Sequence, residues 1–322
     1  MLLTGANGFV GSHILDCLIA RRIPVRLLLR SGSSRQFIET RLSDVEVSIG
    51  SILEPESLRP AVHGVSHVIH CAGATKAVRA SDLFQVNQIG TRNVIEALNA
   101  EKSAVPRLVH LSSLAAAGPA TPHRPRREED PPQPISAYGQ SKLAAEQEIL
   151  NHWRAQHVIL RPPAVYGPRD RDFLRLFKAV KSHLLPAGRQ VLSLAFVRDL
   201  SEVVVSCLDH PAVAGRTFFV AGPEAVSTRR MAQEIATQMG VRTLPLPLPK
   251  ALLWLVCLAQ EVGSRLTGKP SILSLQKWPE LRACHWMCDP SRLEREVGLR
   301  CSTTLATGVQ ETLNWYRQNQ WL

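Results

Sequence analysis

Thr4-Gly5-Ala6-Asn7-Gly8-Phe9-Val10-Gly11 is the stretch on which the reading of this 322-residue chain turns. It follows a short apolar run at 2–4 and opens a helical pattern over 10–21. Glycine permits a tight turn and lets backbone approach an anion closely. The helix that follows presents unpaired N–H groups at its first turn, where a pyrophosphate can sit. Three glycines alone could simply punctuate a loop. Their place at a strand-to-helix junction points to dinucleotide binding.

Working outward, apolar runs at 25–29, 45–49, 67–71, 108–111 and 158–160 alternate with helical patterns at 55–62, 82–100 and 138–154. That alternation predicts an α/β fold, a doubly wound parallel sheet of the Rossmann kind with helices on both faces. Val25-Arg26-Leu27-Leu28-Leu29 reads as a strand buried on both sides. After residue 160 the pattern loosens. Strands are expected at 192–197 and 217–220, and helices at 199–209, 228–239, 250–266, 291–297 and 303–318. Pro245, Pro247 and Pro249 keep two of these helices apart. The expected division is a dinucleotide-binding domain over 1–165 and a smaller, mainly helical substrate-binding portion over 166–322. The chain is expected to cross back to the sheet near 192–222.

Composition narrows the partners. An apolar fraction of 45% with 20% charged residues excludes disorder as the main state. The net charge of +11 leaves nucleic acid, an anionic membrane or a phosphorylated small molecule open. The run His123-Arg124-Pro125-Arg126-Arg127 is followed at once by Glu128-Glu129-Asp130, which reads as a solvated loop. With no recognition motif beside it, no nucleic-acid partner is expected. No apolar run reaches membrane-spanning length, and Met1 leads straight into Leu2-Leu3-Thr4 with no basic signal-peptide region. The seven cysteines show no paired spacing, so free thiols in the cytoplasm are expected. Cys284-His285-Trp286-Met287-Cys288 lacks a second ligand pair, so no metal site is assigned.

Two further signals concern chemistry. The second strand ends at Leu29-Arg30-Ser31, with Arg30 where an acidic residue would select a free ribose 2′-hydroxyl. A guanidinium there suits a 2′-phosphate, so NADP is favoured with NAD possible, although an arginine at a strand end can also be merely solvated. Tyr138 and Lys142 are four residues apart, on one helical face. A cation beside a phenol is expected to lower its pKa towards neutrality, giving a general acid or base for a ketone or alcohol. Leu111-Ser112-Ser113 ends the fifth strand, on the side where open parallel sheets bind ligands.

These pieces, together with His70-Cys71-Ala72-Gly73, Val86-Asn87-Gln88-Ile89-Gly90-Thr91 and Arg161-Pro162-Pro163-Ala164-Val165-Tyr166-Gly167-Pro168, resemble the extended short-chain dehydrogenase/reductases of the epimerase/dehydratase type. They occur in that family's order and cover residues 1 to about 240. The resemblance implies that Gly5, Asn7, Gly8, Phe9, Val10 and Gly11 line the pyrophosphate. It implies that Ala72 and Gly73 pass under the adenosine ribose and that Asn87 supports the adenine side. Tyr138 would donate or accept the proton, and Lys142 would hold the nicotinamide ribose. Ser113 would orient the substrate, since Gly118 lies five residues on. Pro162 to Val165 would flank the nicotinamide. Gly50-Ser51-Ile52 and His70-Cys71 depart from the common pattern, which leaves Ser51 and Ile52 to meet the adenine through backbone or hydroxyl.

Within that family, sugar-nucleotide enzymes carry an arginine where this chain has Leu192, in Leu192-Ser193-Leu194-Ala195-Phe196-Val197-Arg198-Asp199. Arg169, Arg171 or Arg189 could substitute. The apolar trend resembles the dihydroflavonol-reductase-like and hydroxysteroid-dehydrogenase-like branches. The expected function is NADP(H)-dependent hydride transfer to or from a largely apolar ketone or alcohol, held between Ser113, Leu192 and Trp254. The alternatives are a nucleotide-sugar epimerase or dehydratase, and a non-catalytic NADP-binding sensor or assembly subunit. A homodimer through the helices at 82–100 and 138–154 is also implied. Leu252, Leu255, Val256 and Ala259 form one helical stripe, widened by Leu253, Trp254 and Cys257 and flanked by Lys250, Arg265 and Lys269. That stripe reads as core or pocket wall, with peripheral membrane contact as the alternative.

Overall fold

The computed structural model describes residues 1–101, 107–186, 188, 190–246, 250–271 and 274–322. Arg189, Pro247 and Pro249 lie outside them. The first half runs β1 (Leu2–Thr4), α1 (Phe9–Ala20), β2 (Arg26–Leu29), β3 (Glu46–Ile49), α2 (Pro55–Val62), β4 (His67–His70), α3 (Ala80–Phe84), α4 (Gly90–Ala100), β5 (Arg107–Leu111), α5 (Leu114–Ala117), α6 (Ala137–His152) and β6 (Gln156–Arg161). The second half runs β7 (Ala164–Tyr166), α7 (Leu174–Lys181), β8 (Leu184–Pro186), β9 (Val191–Phe196), α8 (Val197–Ser206), β10 (Arg216–Phe219), β11 (Ala225–Ser227), α9 (Thr228–Met239), β12 (Leu244–Leu246), α10 (Lys250–Thr267), α11 (Trp278–Arg282), β13 (His285–Trp286), α12 (Ser291–Val297) and α13 (Leu305–Gln318).

Seven strands form one parallel sheet in the order β3-β2-β1-β4-β5-β6-β10. The order reverses between β1 and β4, which opens a crevice at the carboxyl ends of those strands. Period-two alternation divides each strand between two cores. Leu3, Leu27, Val109 and Leu160 pack with Ile14 and Leu18 of α1 and Val204 of α8. Leu2, Leu28, Val68 and Leu108 pack with Val94 and Leu98 of α4 and Ile149 of α6.

β10 is the strand of the second half that returns to this sheet, pairing with β6. β9 instead centres a separate sheet with β7, β11 and β13. A third core, built on Phe177, Phe196, Ile235, Val309 and Tyr316, lies beneath it. The helical pattern at 82–100 is not one uninterrupted α-helix. A π-helical turn, Gln85–Ile89, separates α3 from α4 and carries Asn87 inward. Such turns insert one extra residue and re-aim a side chain. Among the described residues, no helix is long and apolar enough to cross a membrane.

Candidate active site

The glycine turn leaves β1 and enters α1 without a side-chain cap and without an acidic residue in the first turn. A β-carbon on Gly11 would stand 2.0 Å from the Gly5 carbonyl oxygen, so only glycine allows this closure. The first-turn N–H groups of Phe9, Val10 and Gly11 thus face an anion position rather than a capping side chain. Asn7 Nδ2 donates to the Ser34 carbonyl at 3.2 Å, which holds the loop after β2 beside the turn. Arg30 heads that loop, exposed and without an ion pair among the described residues. Uncapped donors with a guanidinium beside them are a donor set that fits a dinucleotide.

The loop after β4 forms the opposite wall. The Ala72 N–H donates to Thr4 Oγ1 at 3.1 Å, and Gly73 lies against Asn87 and Lys142. Asn87, expected at the adenine side, is 1% exposed. Its amide accepts from Ala74 N at 2.8 Å and donates to Ala74 O and Ser141 Oγ, each at 2.9 Å. It works as a clasp between this loop and α6. The Ser51 N–H donates to Ser57 Oγ, and Ile52 is buried against Gly90.

Ser136 caps α6, accepting from the Gly139 N–H at 3.0 Å. A β-carbon on Gly139 would lie 2.3 Å from the Ala115 carbonyl oxygen, so this glycine brings α5 and α6 together. The approach brings Ser113, the cap of α5, into a hydrogen bond with Tyr138. Lys142 lies one turn further along α6, buried, with Nζ donating to the Leu111 carbonyl at 2.6 Å. One more turn places Glu146, also buried, in a bidentate pair with Arg161 (Nε–Oε1 2.9 Å, Nη2–Oε2 2.5 Å) and bonded by the Ser112 hydroxyl. Ser113, Tyr138 and Lys142 are thus backed by the buried Ser112, Glu146 and Arg161, and α6 supplies three of the six at i, i+4 and i+8.

The expected fall in the tyrosine pKa is not found. Burial pushes the Tyr138 phenol up to about 12; Ser113 opposes this, and Glu280 and Cys71 reinforce it. Burial also draws Lys142 down to about 8, against the influence of Cys71 and Glu146. The ammonium is engaged by the Leu111 carbonyl, and desolvation dominates at each of the two groups.

Tyr138 opens onto a narrow cavity lined by Thr75, Lys76, Leu83, Ser274, Gln276 and Lys277. Leu192 and Trp254 are not in its wall. Leu192 packs against the core under the second sheet, and Trp254 is 40% exposed on α10. The wall comes instead from 274–277, a polar segment before α11 with no motif to mark it in sequence. The ammonium of Lys277 lies 4.5 Å from the Tyr138 ring centre and pairs with Glu280 at 2.9 Å. Glu280 also accepts from the Ser136 hydroxyl. Pro162 accepts from the Leu114 N–H at 2.8 Å, and Val165 packs at the edge of the central core.

The candidate substitutes for the missing arginine are committed elsewhere. Arg169 pairs with Asp16 at 2.8 Å, and Arg171 donates to Gln36 and lies over Phe37 and Trp321. Arg189 falls outside the described residues. The basic run at 123–127 is held by Arg124–Asp130 and Arg127–Asp289 pairs, while Glu128 and Glu129 bond Phe219 N and Arg292.

Residues 1–222 match the model of the NAD-dependent epimerase/dehydratase family. The chain belongs to that family. It is similar to a ceramide reductase of Caulobacter vibrioides, 30% identical over 99% of this chain and 95% of the relative. It is also similar to a UDP-glucose 4-epimerase of Vibrio cholerae, 27% identical over 99% and 95%. Among solved structures, gox2253 superposes with a TM-score of 0.82 at 24% identity, covering 99% of this chain and 98% of that one. As an epimerase/dehydratase-family member, the protein is an NAD(P)-dependent enzyme of the extended short-chain dehydrogenase/reductase type.

Proposed function

We propose that this enzyme moves a hydride between NADP(H) and the carbonyl carbon of a largely apolar ketone or the corresponding alcohol. The observation that carries the reading is the surroundings of Tyr138: Ser113 hydrogen-bonds the phenol, Lys142 lies one turn along α6, and no arginine is among the described lining residues of the narrow cavity that Tyr138 itself lines. A diphosphate deprived of a guanidinium loses charge-assisted hydrogen bonds and is stripped of water. Lys76 and Lys277, the cations present, are each paired with an acid, Asp172 and Glu280.

The bound dinucleotide supplies or accepts the hydride. Tyr138, with its proton held tightly, gives that proton to the substrate oxygen during reduction. Ser113 holds the same oxygen, and Lys142 keeps a positive charge one turn below the phenol. The glycine turn would bind the pyrophosphate and Arg30 the 2′-phosphate. The alternative, action on a nucleotide sugar, draws on the likeness to the Vibrio cholerae epimerase. Turnover and thermal-shift screens against UDP-sugars, steroid ketones, flavonoid-like ketones and long-chain keto compounds separate the two. Reduction of a lipophilic ketone is expected; UDP-sugar binding at micromolar concentration without any ketone turnover would overturn the reading.

A further inference from the structure

We infer that α10 seats this protein on an anionic lipid surface, and that the groove beneath α10 takes a lipid-borne ketone or alcohol from that surface toward Tyr138. Most amphipathic helices bury their apolar stripe. α10 turns one outward. Ala251, Leu255, Val262 and Leu266 are exposed at i, i+4, i+11 and i+15, and Trp254 and Val256 widen the stripe. Leu266 is 82% exposed and Leu255 54%. The inward face carries Cys257, Glu261 and Ser264, all buried.

Charge selects the occupant. The exposed cations Arg79, Arg265 and Lys269 lie around the stripe, and the one acid of α10, Glu261, is buried and paired with Arg265 at 3.3 Å. The whole chain carries +11. A second copy docked face to face would set like cations against each other across a two-fold axis. An anionic bilayer meets the same rim with opposite charge and takes the leucines and tryptophan into its interface.

The groove gives the seat a purpose. Val78, Arg79, Glu261, Arg265, Leu275 and Gln276 enclose about 730 Å³ between α10 and the start of α3. Gln276 also lines the cavity of Tyr138, and its Nε2 donates to the Val78 carbonyl at 2.9 Å. One side-chain amide therefore stands between the groove and the reactive phenol. Rotation of Gln276 away from Val78 would join the two spaces.

The delivery step rests on the apolar-substrate reading; the docking step does not, and it is measured without substrate. Intact protein is co-sedimented with vesicles of phosphatidylcholine alone or mixed with phosphatidylglycerol. Wild type is expected to bind the mixed vesicles and to lose binding as salt screens the charges. The double variant Leu255→Gln, Leu266→Gln should bind at least about tenfold more weakly, the scale of two lost apolar anchors. The variant Lys269→Glu should weaken the preference for phosphatidylglycerol. Melting temperature and turnover of a short water-soluble ketone should be unchanged in both variants, because Leu255, Leu266 and Lys269 lie at the surface and line neither the groove nor the cavity of Tyr138. Docking is overturned if wild type stays in the supernatant, or if the leucine variant sediments as wild type does. It is also overturned if that variant instead abolishes a concentration-dependent dimer. Absence of turnover on every lipophilic ketone, with vesicle binding intact, would count against the substrate reading and leave docking standing.

Discussion

The Lys277 ammonium sits 4.5 Å from the centre of the Tyr138 ring, although 139 residues separate the two in sequence. It is fixed there by Glu280, which also accepts from the Ser136 cap of α6. A cation over an aromatic face gains attraction as the ring becomes more electron-rich, as a phenol does when it gives up its proton. Lys277→Met is therefore expected to lower kcat by roughly 3- to 30-fold, the equivalent of about 0.5–2 kcal/mol. Steady-state kinetics check this, with a small change in cofactor KM expected. An unchanged kcat would make Lys277 a strut of the cavity wall and nothing more.

Removal of the phenolic oxygen tests the chemistry directly. Tyr138→Phe keeps the ring and the Lys277 contact but deletes the proton. Turnover should fall by roughly 10²–10⁴-fold, the usual worth of a general acid. Dinucleotide binding, followed by fluorescence quenching or calorimetry, should change little, because the glycine turn lies at the other end of the crevice. Wild-type rates in the variant would remove Tyr138 from the mechanism.

The pH profile follows from the two buried groups. With Tyr138 at about 12, the phenol is protonated throughout the neutral range, so the reductive direction is supplied with its acid. Lys142, at about 8, loses its charge as pH rises through that value. kcat/KM for reduction should therefore be level below pH about 8 and decline above it, since this ratio reports the free enzyme. Lys142→Arg should move the decline upward. The stability sign is opposite. The lysine binds its proton less tightly folded than unfolded, so ionisation of this group penalises the fold at neutral pH. That penalty is relieved as pH rises from about 8 towards 10.5, the ordinary value of a lysine.

The central sheet was legible because its inner parallel strands are buried on both faces and are therefore mostly apolar; 26–29 and 107–111 carry that pattern, whereas the edge strand β3 is largely exposed. The strand-to-helix turn was legible because its closure admits only glycine at position 11, and Tyr138 and Lys142 could be placed on one face of α6 because helical spacing sets that alone. β7 and β11 were not. Each has three residues and exists only because β9 pairs with it, a partner that sequence spacing does not disclose. The cavity wall failed for the same reason. Leu192 suits either a pocket or a core, and the direction of β9 assigns it to the core, while Lys277 reaches Tyr138 through the tertiary path of 274–282. The Tyr138 pKa was misjudged because helical spacing conveys which residues share a face but not the burial that sets the titration of the phenol.

Beneath the phenol, Glu146 and Arg161 form a pair with side-chain exposures of 2% and 8%. Glu146→Gln would leave the guanidinium buried and short of its counter-charge. A buried pair broken on one side costs about 3–5 kcal/mol. Urea denaturation should show a loss on that scale. A loss below about 1 kcal/mol, the range of surface pairs, would show that water reaches Arg161.

The proposed preference for NADP rests on Arg30. It directly follows β2, at the head of the loop that Asn7 holds against the glycine turn, and it has no acidic partner among the described residues. A guanidinium in that state has its full charge available for a 2′-phosphate, and its planar fork accommodates two oxygens at once. NADH lacks that group and offers only a ribose hydroxyl, to which an arginine gives one ordinary hydrogen bond. NADPH should therefore bind more tightly than NADH. Arg30→Ala should shrink the difference by about 1.5–3 kcal/mol, the range for hydrogen bonds to charged groups, with NADH affinity nearly constant. Calorimetry with both dinucleotides on both proteins gives the four numbers of the cycle. Because Arg30 is exposed, the electrostatic part should weaken with salt, and that dependence should vanish in the alanine variant. Equal affinities of the wild type for the two dinucleotides would assign the enzyme to NAD and leave Arg30 a solvated residue at a strand end.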